Sequence, residues 1–316
     1  MITKNIIMGK MTKLKALLLV AVSVLFVTGF IPVPVHALTL TIDPVEGPMG
    51  TEVTIQGLNL YGSGSYSLYW GDSKQPFKQG TDDGSNVVIF EVPEAARGEH
   101  TITMKIEGKE YETEFTVLPS IEADINEGKV GTEIVLNGYG FNARETDITV
   151  EYDDMELATG ITSDKLGHWK STCIIPPSHS GEHTIIAYGT TPAEELNPLT
   201  FIVEPMIRIT PNSGGVGTMV NINGTGFGSS ETGIVVIYDG VQVKTAISSD
   251  SKGSWQSSFY APSSAKGVHN VDAYGSSTDP EEVGNVSYTI SPAMRLEMSS
   301  GYLGDTIHTG DSIWVG

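Results

Sequence analysis

The sequence predicts an all-β protein made of β-sandwiches in tandem, three of them complete and a fourth truncated. Three observations carry this prediction: a glycine-rich unit recurs along the chain, apolar residues alternate within it, and each connection between copies contains one proline. Alternation of apolar and polar residues is typical of strands that bury one face. Repetition at a long spacing indicates similar structural units in series.

The recurring unit has an apolar start, a glycine-rich turn, an alternating strand and a second glycine-rich turn. Its copies begin at Leu40, Ile121, Ile207 and Met294. The glycine after the alternating strand recurs at Gly57, Gly138 and Gly224, in steps of 81 and 86 residues. Solenoid repeats of about 20 to 50 residues must stack to bury a core, whereas a unit of about 80 to 100 residues is the size of an independent sandwich.

The copies divide the chain into five segments. We expect a leader over 1–37, domains over 38–117, 121–203 and 207–290, and the start of a fourth copy over 294–316. In the fourth copy, either Gly304 or Gly310 stands where earlier copies have the glycine of Gly-Thr, and its register stays open. The three-residue connections contain Pro119, Pro205 and Pro292. Because proline fixes φ and keeps its predecessor extended, we expect neighbouring domains to be held in a rod-like orientation.

The alternating strand is clearest in the third copy, where Val220 and Ile222 alternate with Asn221 and Asn223. We expect the apolar pair to be buried and the asparagines to face outward. The flanking glycines allow positive φ, bulges or close backbone approach. The aromatic residue after the second turn, Phe227, is expected to turn back into the core, as is its counterpart in the second copy.

The first 37 residues have the features of a secretory signal. They carry four lysines and no acid, then an uncharged run over 16–31, two prolines and the ending Val35-His36-Ala37. The alternative is an uncleaved membrane anchor, although a spanning helix needs roughly 20 apolar residues. Removal of the leader takes away four of the 18 basic residues and none of the 38 acidic ones, which leaves a net charge of −24. Such a charge repels nucleic acid and anionic headgroups.

A second motif recurs as ITSDKLGHW from Ile161 and ISSDSKGSW from Ile247. We expect its Asp and Gly to form a turn. Strand parity places Trp255 on the same face as Phe259, so both are expected to fill the core. Cys173 takes the place of Phe259 in the second domain and is expected to be a buried, inert thiol rather than a reactive one. A single cysteine forms no internal disulfide.

Recurring histidines raise the question of acid–base or metal chemistry. They are His100, His183 and His269, in steps of 83 and 86 residues. Each shares its strand face with apolar residues, so we expect a structural role at the rim of the core. One such histidine per domain supplies no second ligand of its kind. His179 lies four residues before His183, but the Ser-Gly-Glu between them does not favour the helix that a HExxH zinc site requires.

Adjacent carboxylates raise the question of calcium, at Asp82-Asp83 and Asp153-Asp154. The sequence has no EF-hand-like loop, and adjacent acids on a turn are usually solvated. It also has no nucleophile elbow, phosphate-binding loop or dinucleotide motif. We therefore expect no catalytic, cofactor-binding or metal-binding residues. Asn223 and Asn285 lie in Asn-x-Ser/Thr sites open to glycosylation, although backbone geometry explains Asn223 equally well.

Together the motifs resemble the IPT/TIG domain, an immunoglobulin-like fold. The resemblance is carried by GVGTMVNINGTGF, KVGTEIVLNGYGF, the SDxxGxW turn and a late Gly-x-His strand, and it covers nearly all of 38–316. It is weakest in domain one, where Gly57-Leu-Asn-Leu60 replaces Gly-x-Gly-Phe and Asn86 replaces the Trp. The resemblance implies sandwiches of about seven strands. It also implies spacer or adhesive modules in exported proteins, or modules of DNA-binding factors and plexins, and the leader and acidity favour the exported setting.

The sequence favours a non-enzymatic, secreted or cell-surface rod with a structural or adhesive function. Two alternatives stay open: a carbohydrate-binding or spacer region of a larger secreted enzyme, and an adhesin stiffened by calcium. The expected partner is an extracellular protein or glycan, with no cofactor and no nucleic acid. A membrane enters only through an anchor outside the present chain.

Overall fold

The computed structural model describes residues 40–56, 64–81, 84 and 87–291. The predicted leader, the fourth copy and the Asp82-Asp83 pair lie outside the described residues. The described chain is almost entirely β and forms sandwich-like domains, which confirms the predicted fold class. None of its helices is long and apolar enough to cross a membrane.

The first sandwich consists of a small sheet and a large sheet. Its strands are β1 (Thr41–Asp43), β2 (Glu46–Gly47), β3 (Glu52–Gln56), β4 (Ser65–Trp70), β5 (Lys78–Thr81), β6 (Val87–Glu91), β7 (Gly98–Ile106) and β8 (Lys109–Val117). Within the described residues the sheet orders are β1-β3-β6 and β2-β8-β7-β4-β5. A hairpin joins β7 to β8 through Glu107 and Gly108, whose φ values of 50° and 75° suit a two-residue turn.

The second sandwich repeats this plan. Its strands are β9 (Ser120–Ala123), β10 (Glu127–Lys129), β11 (Glu133–Tyr139), β12 (Ile148–Tyr152), β13 (Met155–Ile161), β14 (Trp169–Ile174), β15 (Gly181–Tyr188) and β16 (Leu199–Glu204). The sheet orders are β14-β11-β9 and β10-β16-β15-β12-β13. A single 3-10 turn, Ala193–Glu195, precedes β16. The first strand of the fold is thus split between the two sheets as β9 and β10.

The third sandwich has the same order of elements. Its strands are β17 (Met206–Thr210), β18 (Ser213–Gly214), β19 (Met219–Thr225), β20 (Ile234–Tyr238), β21 (Val241–Ile247), β22 (Trp255–Tyr260), β23 (Gly267–Tyr274) and β24 (Val286–Ile290). The sheet orders are β17-β19-β22 and β18-β24-β23-β20-β21. A short helix α1, Pro280–Val283, starts with a capping box formed by Asp279 and Glu282.

Each sandwich has its own hydrophobic core between its two sheets. Val220 and Ile222 are fully buried while Asn221 and Asn223 are exposed, which confirms the predicted faces. Trp255 is 6% exposed and packs edge-on against Phe227 in the same core. The predictions that Trp255 and Phe227 fill the core are therefore confirmed.

The connections between sandwiches are shorter than the predicted three residues. β8 ends at Val117 and β9 begins at Ser120, and only Pro205 separates Glu204, the end of β16, from Met206, the start of β17. The reason is that proline and the residue before it favour extended backbone, so the flanking residues continue their strands.

Candidate functional site

The junction between successive sandwiches is the candidate functional site, because the same contact occurs at both junctions. At the first, the backbone N–H of Arg97 donates to the carbonyl of Phe141, 3.0 Å away. At the second, the N–H of Ser180 donates to the carbonyl of Phe227, also 3.0 Å away. Arg97 and Ser180 hold the same position in their sandwiches, directly before the glycine of the Gly-x-His strand.

Each acceptor phenylalanine is held on two sides. Its ring is fully buried in the core of its own sandwich. Its N–H donates to the glycine carbonyl of the SDxxGxW turn, over 3.1 Å from Phe141 to Gly167 and 3.0 Å from Phe227 to Gly253. As predicted, the aspartate of this motif closes the turn, since Asp250 accepts two backbone N–H groups. The two recurring motifs therefore meet at the point where the preceding sandwich docks.

The glycine before each phenylalanine is required by the junction. Gly140 and Gly226 have φ values of 64° and 69°, which L side chains rarely adopt. A Cβ on Gly226 would lie 2.5 Å from the carbonyl oxygen of Glu204, and one on Gly140 would lie 2.7 Å from that of Leu118. Two of the three reasons proposed for glycine in this motif, positive φ and close backbone approach, apply here.

The recurring histidine fixes the loop that donates the junction hydrogen bond. Its Nε2 lies 2.7 to 2.9 Å from the carbonyl oxygen four residues earlier, in Ala96, His179 and Ala265. Its ring stacks on an aromatic residue of the adjacent strand, Trp70, Tyr152 or Tyr238. That carbonyl belongs to the residue just before the junction N–H. For His100 and His183 the predicted structural role thus includes placement of the junction loop, and His269 holds the equivalent loop of the third sandwich.

In the second and third sandwiches the histidine also pairs with an aspartate. Nδ1 of His183 lies 2.8 Å from Oδ2 of Asp153, and Nδ1 of His269 lies 2.6 Å from Oδ2 of Asp239. Asp153 also accepts the backbone N–H of Thr184. The expectation that Asp153-Asp154 is simply solvated is therefore wrong for Asp153, because its carboxylate fastens β15 to the turn after β12.

The pair in the third sandwich shifts the pKa of both its members. Hydrogen bonds to Asp239 and to the carbonyl of Ala265 raise the pKa of His269. The hydrogen bond from His269 lowers the pKa of Asp239. In the second sandwich, both ring nitrogens of His183 are engaged within the protein. Such a ring is held in place as a structural element of its sandwich.

The two junctions differ in their side-chain contacts. At the first, two N–H groups of the Arg97 guanidinium donate to the carboxylate of Glu195, which raises the pKa of Arg97 and lowers that of Glu195. At the second, a cleft of about 280 Å³ is lined by Asp153 and His179 of one sandwich and Lys252 of the next. The backbone contact is therefore the feature that both junctions share.

A buried carboxylate supports the loop that follows each acceptor phenylalanine, and the sequence analysis did not identify it. Glu231 is 4% exposed and accepts hydrogen bonds from three backbone N–H groups, one of them that of Gly228, and from the hydroxyl of Thr278. Burial acts to raise the pKa of Glu231, but these hydrogen bonds outweigh it and the pKa is lowered. Glu145 binds Thr191 in the same way. Their recurrence at a step of 86 residues was the available sequence signal.

The other candidate residues lie apart from the junctions or inside the fold. Cys173 is 4% exposed, and burial raises the pKa of its thiol, as expected for an inert core cysteine. His179 lies in a loop and His183 in β15, so they do not share a helix. Asn223 and Asn285 are both exposed. Across the described residues, no group of three or more His, Cys, Asp or Glu side chains is placed to hold a metal ion.

Comparison with known proteins gives one family and several distant structures. A family model described as the IPT/TIG domain matches residues 38–117 and 206–290, together just over half of the 316 residues. The first of these stretches is the copy in which the glycine-rich motif differs most from the other two copies. No curated protein matches the chain.

Three solved structures are similar to this chain at low sequence identity. A Bacteroides ovatus mixed-linkage glucan utilization locus protein, SGBP-B, shares 12% identity over 78% of this chain at a TM-score of 0.28, and the chain covers 65% of it, less than two thirds. A tetra-tandem repeat from the extending region of a large adhesion protein shares 12% identity over 80% of this chain and 74% of its own, at a TM-score of 0.29. An ICAM-5 D1–D4 ectodomain fragment shares 14% identity over 80% and 75%, at a TM-score of 0.27.

Proposed function

Because this chain belongs to the IPT/TIG domain family, we propose that it is a non-enzymatic extracellular rod of immunoglobulin-like domains that serves as a spacer or an adhesive surface. In this proposal the domains are residues 38–117, 121–203 and 207–290, and a fourth copy begins at 294. Residues 1–37 direct export, and the rod is either secreted or held at the cell surface.

The observation that carries the proposal is the junction repeated between consecutive sandwiches. A flexible Gly/Ser tether would leave domains free to reorient. Here a one- or two-residue connection and a hydrogen bond from Arg97 or Ser180 to the next sandwich restrict each pair of neighbours. The same contact at equivalent positions supports a stiff array with a constant relation between domains.

The engagement of reactive side chains supports a non-enzymatic role. His183 has both ring nitrogens bonded within its sandwich, and the buried thiol of Cys173 has a raised pKa. A thiol is nucleophilic as the thiolate, so burial of this kind works against catalysis. The sandwich fold itself hosts unrelated functions, so this argument depends on these residues and not on the fold.

The proposed partner is an extracellular protein or glycan. Without the leader the chain carries a net charge of −24, from 14 basic and 38 acidic residues. Such a surface repels nucleic acid and anionic lipids and keeps an exported chain soluble.

Small-angle scattering on residues 38–316 tests the proposed rod. A compact globule of this length has a radius of gyration of about 19 Å. The proposal predicts a clearly larger value, and a value near that of the globule would contradict it. The calcium-stiffened alternative predicts a higher melting temperature in excess calcium, whereas the present proposal predicts no change.

A further inference from the structure

The outward face of the small sheet in the third sandwich differs from the same face in the other two. We call it the β17-β19-β22 face, and its outward residues are Arg208, Thr210, Met219, Asn221, Asn223, Gln256, Ser258 and Tyr260. None of them is acidic, in a chain with 38 acidic residues. The matching faces carry Glu52 and Glu91 in the first sandwich and Glu122 and Glu133 in the second.

The strand register arranges these residues as a regular grid. Along β19 and β22, Asn221 lies opposite Ser258, Asn223 lies opposite Gln256, and Met219 lies opposite Tyr260. Strands lie about 4.8 Å apart, and residues two apart on one strand are separated by about 6.7 Å. Three strands and three rows therefore give a patch of roughly 10 by 13 Å.

The grid combines free hydrogen-bonding groups with an exposed aromatic ring. Tyr260 is 69% exposed and Met219 is 53% exposed. Within the described part of the chain, the amide groups of Asn221, Asn223 and Gln256 form no hydrogen bond, so their donors and acceptors face solvent. Each such amide offers two donors on nitrogen and two acceptor positions on oxygen.

We propose that the β17-β19-β22 face binds an uncharged oligosaccharide, which would give the proposed rod its adhesive surface. A sugar hydroxyl both donates and accepts hydrogen bonds, and a side-chain amide matches both roles. The C–H face of a sugar ring is apolar and packs against an aromatic ring such as that of Tyr260. The face is free of carboxylates, while the remaining acidic surface repels anionic ligands.

The size of the face favours an oligosaccharide over a folded protein. A patch of roughly 10 by 13 Å covers about 130 Å². A stable protein interface buries about 800 Å² on each partner, several times more. A short carbohydrate chain that lies across three strands uses the whole patch, whereas a protein partner would need a much larger area around it.

An array of neutral gluco-, manno-, galacto- and xylo-oligosaccharides, with sialylated and sulfated glycans as charged comparators, tests the proposal on the full chain. We expect at least one neutral ligand to bind the parent. Tyr260→Ala should weaken binding about tenfold. Asn223→Asp should weaken binding as well, because the new carboxylate cannot donate a hydrogen bond. Tyr260→Phe, which keeps the ring, should stay within about threefold of the parent.

The control is Ile174→Ala, the position that matches Tyr260 in the second sandwich and is 61% exposed. It should bind like the parent, and all four variants should melt like the parent because the changed side chains are exposed. The proposal is overturned if no neutral oligosaccharide binds, if only charged glycans bind, or if Tyr260→Ala binds unchanged. Any of these results together with an extended scattering profile would contradict glycan binding and leave the proposed rod intact. A compact scattering profile would contradict the rod itself.

Discussion

The indole ring of Trp255 lies against the backbone of Gly224, its partner across the β19–β22 pair. A Cβ added to Gly224 would overlap the indole nitrogen. Trp169 and Gly138 repeat the arrangement in the second sandwich. In the second and third copies the glycine that marks the repeat is therefore needed for space in the core, and the Trp and Gly of the two motifs form one unit.

Truncation of this tryptophan should unfold the third sandwich. Removal of a buried Trp side chain costs about 3 to 5 kcal/mol, a large part of the roughly 5 to 15 kcal/mol that stabilises a domain. We expect Trp255→Ala to lose most of the unfolding free energy of this sandwich in a denaturant titration. Tyr260→Ala, five residues away on the same strand and exposed, should change it by less than about 0.5 kcal/mol. A Trp255→Ala variant that melts like the parent and loses only glycan binding would make Trp255 a surface residue.

Replacement of the junction glycine should open the second junction. In Gly226→Ala the new Cβ meets the carbonyl oxygen of Glu204, so the Ser180 amide should lose its partner and exchange its proton faster. Gly240→Ala is the matched control: Gly240 also has positive φ, 79°, but a Cβ there meets nothing within 4 Å. Equal exchange of the Ser180 amide in both variants would show that backbone strain, and not the junction contact, explains the effect.

Neutralisation of the buried Glu231 carboxylate should loosen the loop that follows Phe227. In the parent, the Glu231 carboxylate accepts hydrogen bonds from N–H and O–H donors. In Glu231→Gln the amide NH₂ faces some of these donors and cannot accept from them, and each unsatisfied buried group costs about 1 to 3 kcal/mol. Because the folded pKa of Glu231 is lowered, its stabilisation is present above its ordinary pKa of about 4.5 and is lost as pH falls through the folded value. The parent should thus lose stability in acid more steeply than the variant. Parallel curves would contradict the role assigned to this carboxylate.

The histidine–aspartate pair of the third sandwich should give a pH-dependent stability. The pKa of His269 is raised, so its contribution is complete below its ordinary pKa of about 6.5 and is lost as pH rises through the folded value. Asp239 has a lowered pKa, so its contribution is lost as pH falls through its folded value. An NMR titration of the His269 ring should show the raised pKa, and Asp239→Asn should return it toward 6.5. An unchanged His269 pKa in that variant would exclude the pairing as its cause.

The sequence allowed most of the fold to be predicted because local patterns determine it. Period-2 alternation from Val220 to Asn223 indicated which side chains are buried, since successive residues on a strand point to opposite faces. The same parity placed Trp255 and Phe259 in one core. Strand ends and connection lengths were less accurate, because the extended conformation of residues around Pro205 is compatible with both strand and linker.

The candidate site was less predictable because its contacts join residues far apart in the chain. Nothing local to Phe227 shows that its carbonyl accepts the N–H of Ser180. Glu231 lies among polar turn residues, and only the folded loops bring Thr278 over its carboxylate. Asp153 was assigned to solvent for the same reason, since its partner His183 is 30 residues away. Recurrence of these residues at the repeat spacing was the one signal available.

A distance measurement across the second junction tests the central claim most directly. Spin labels on Thr200→Cys and Lys244→Cys, both exposed, report on the second and third sandwiches, while the buried Cys173 thiol resists labelling. The docked junction predicts a single, narrow distribution of distances between the two labels in double electron–electron resonance. A broad distribution, as for domains on a flexible tether, would contradict the account.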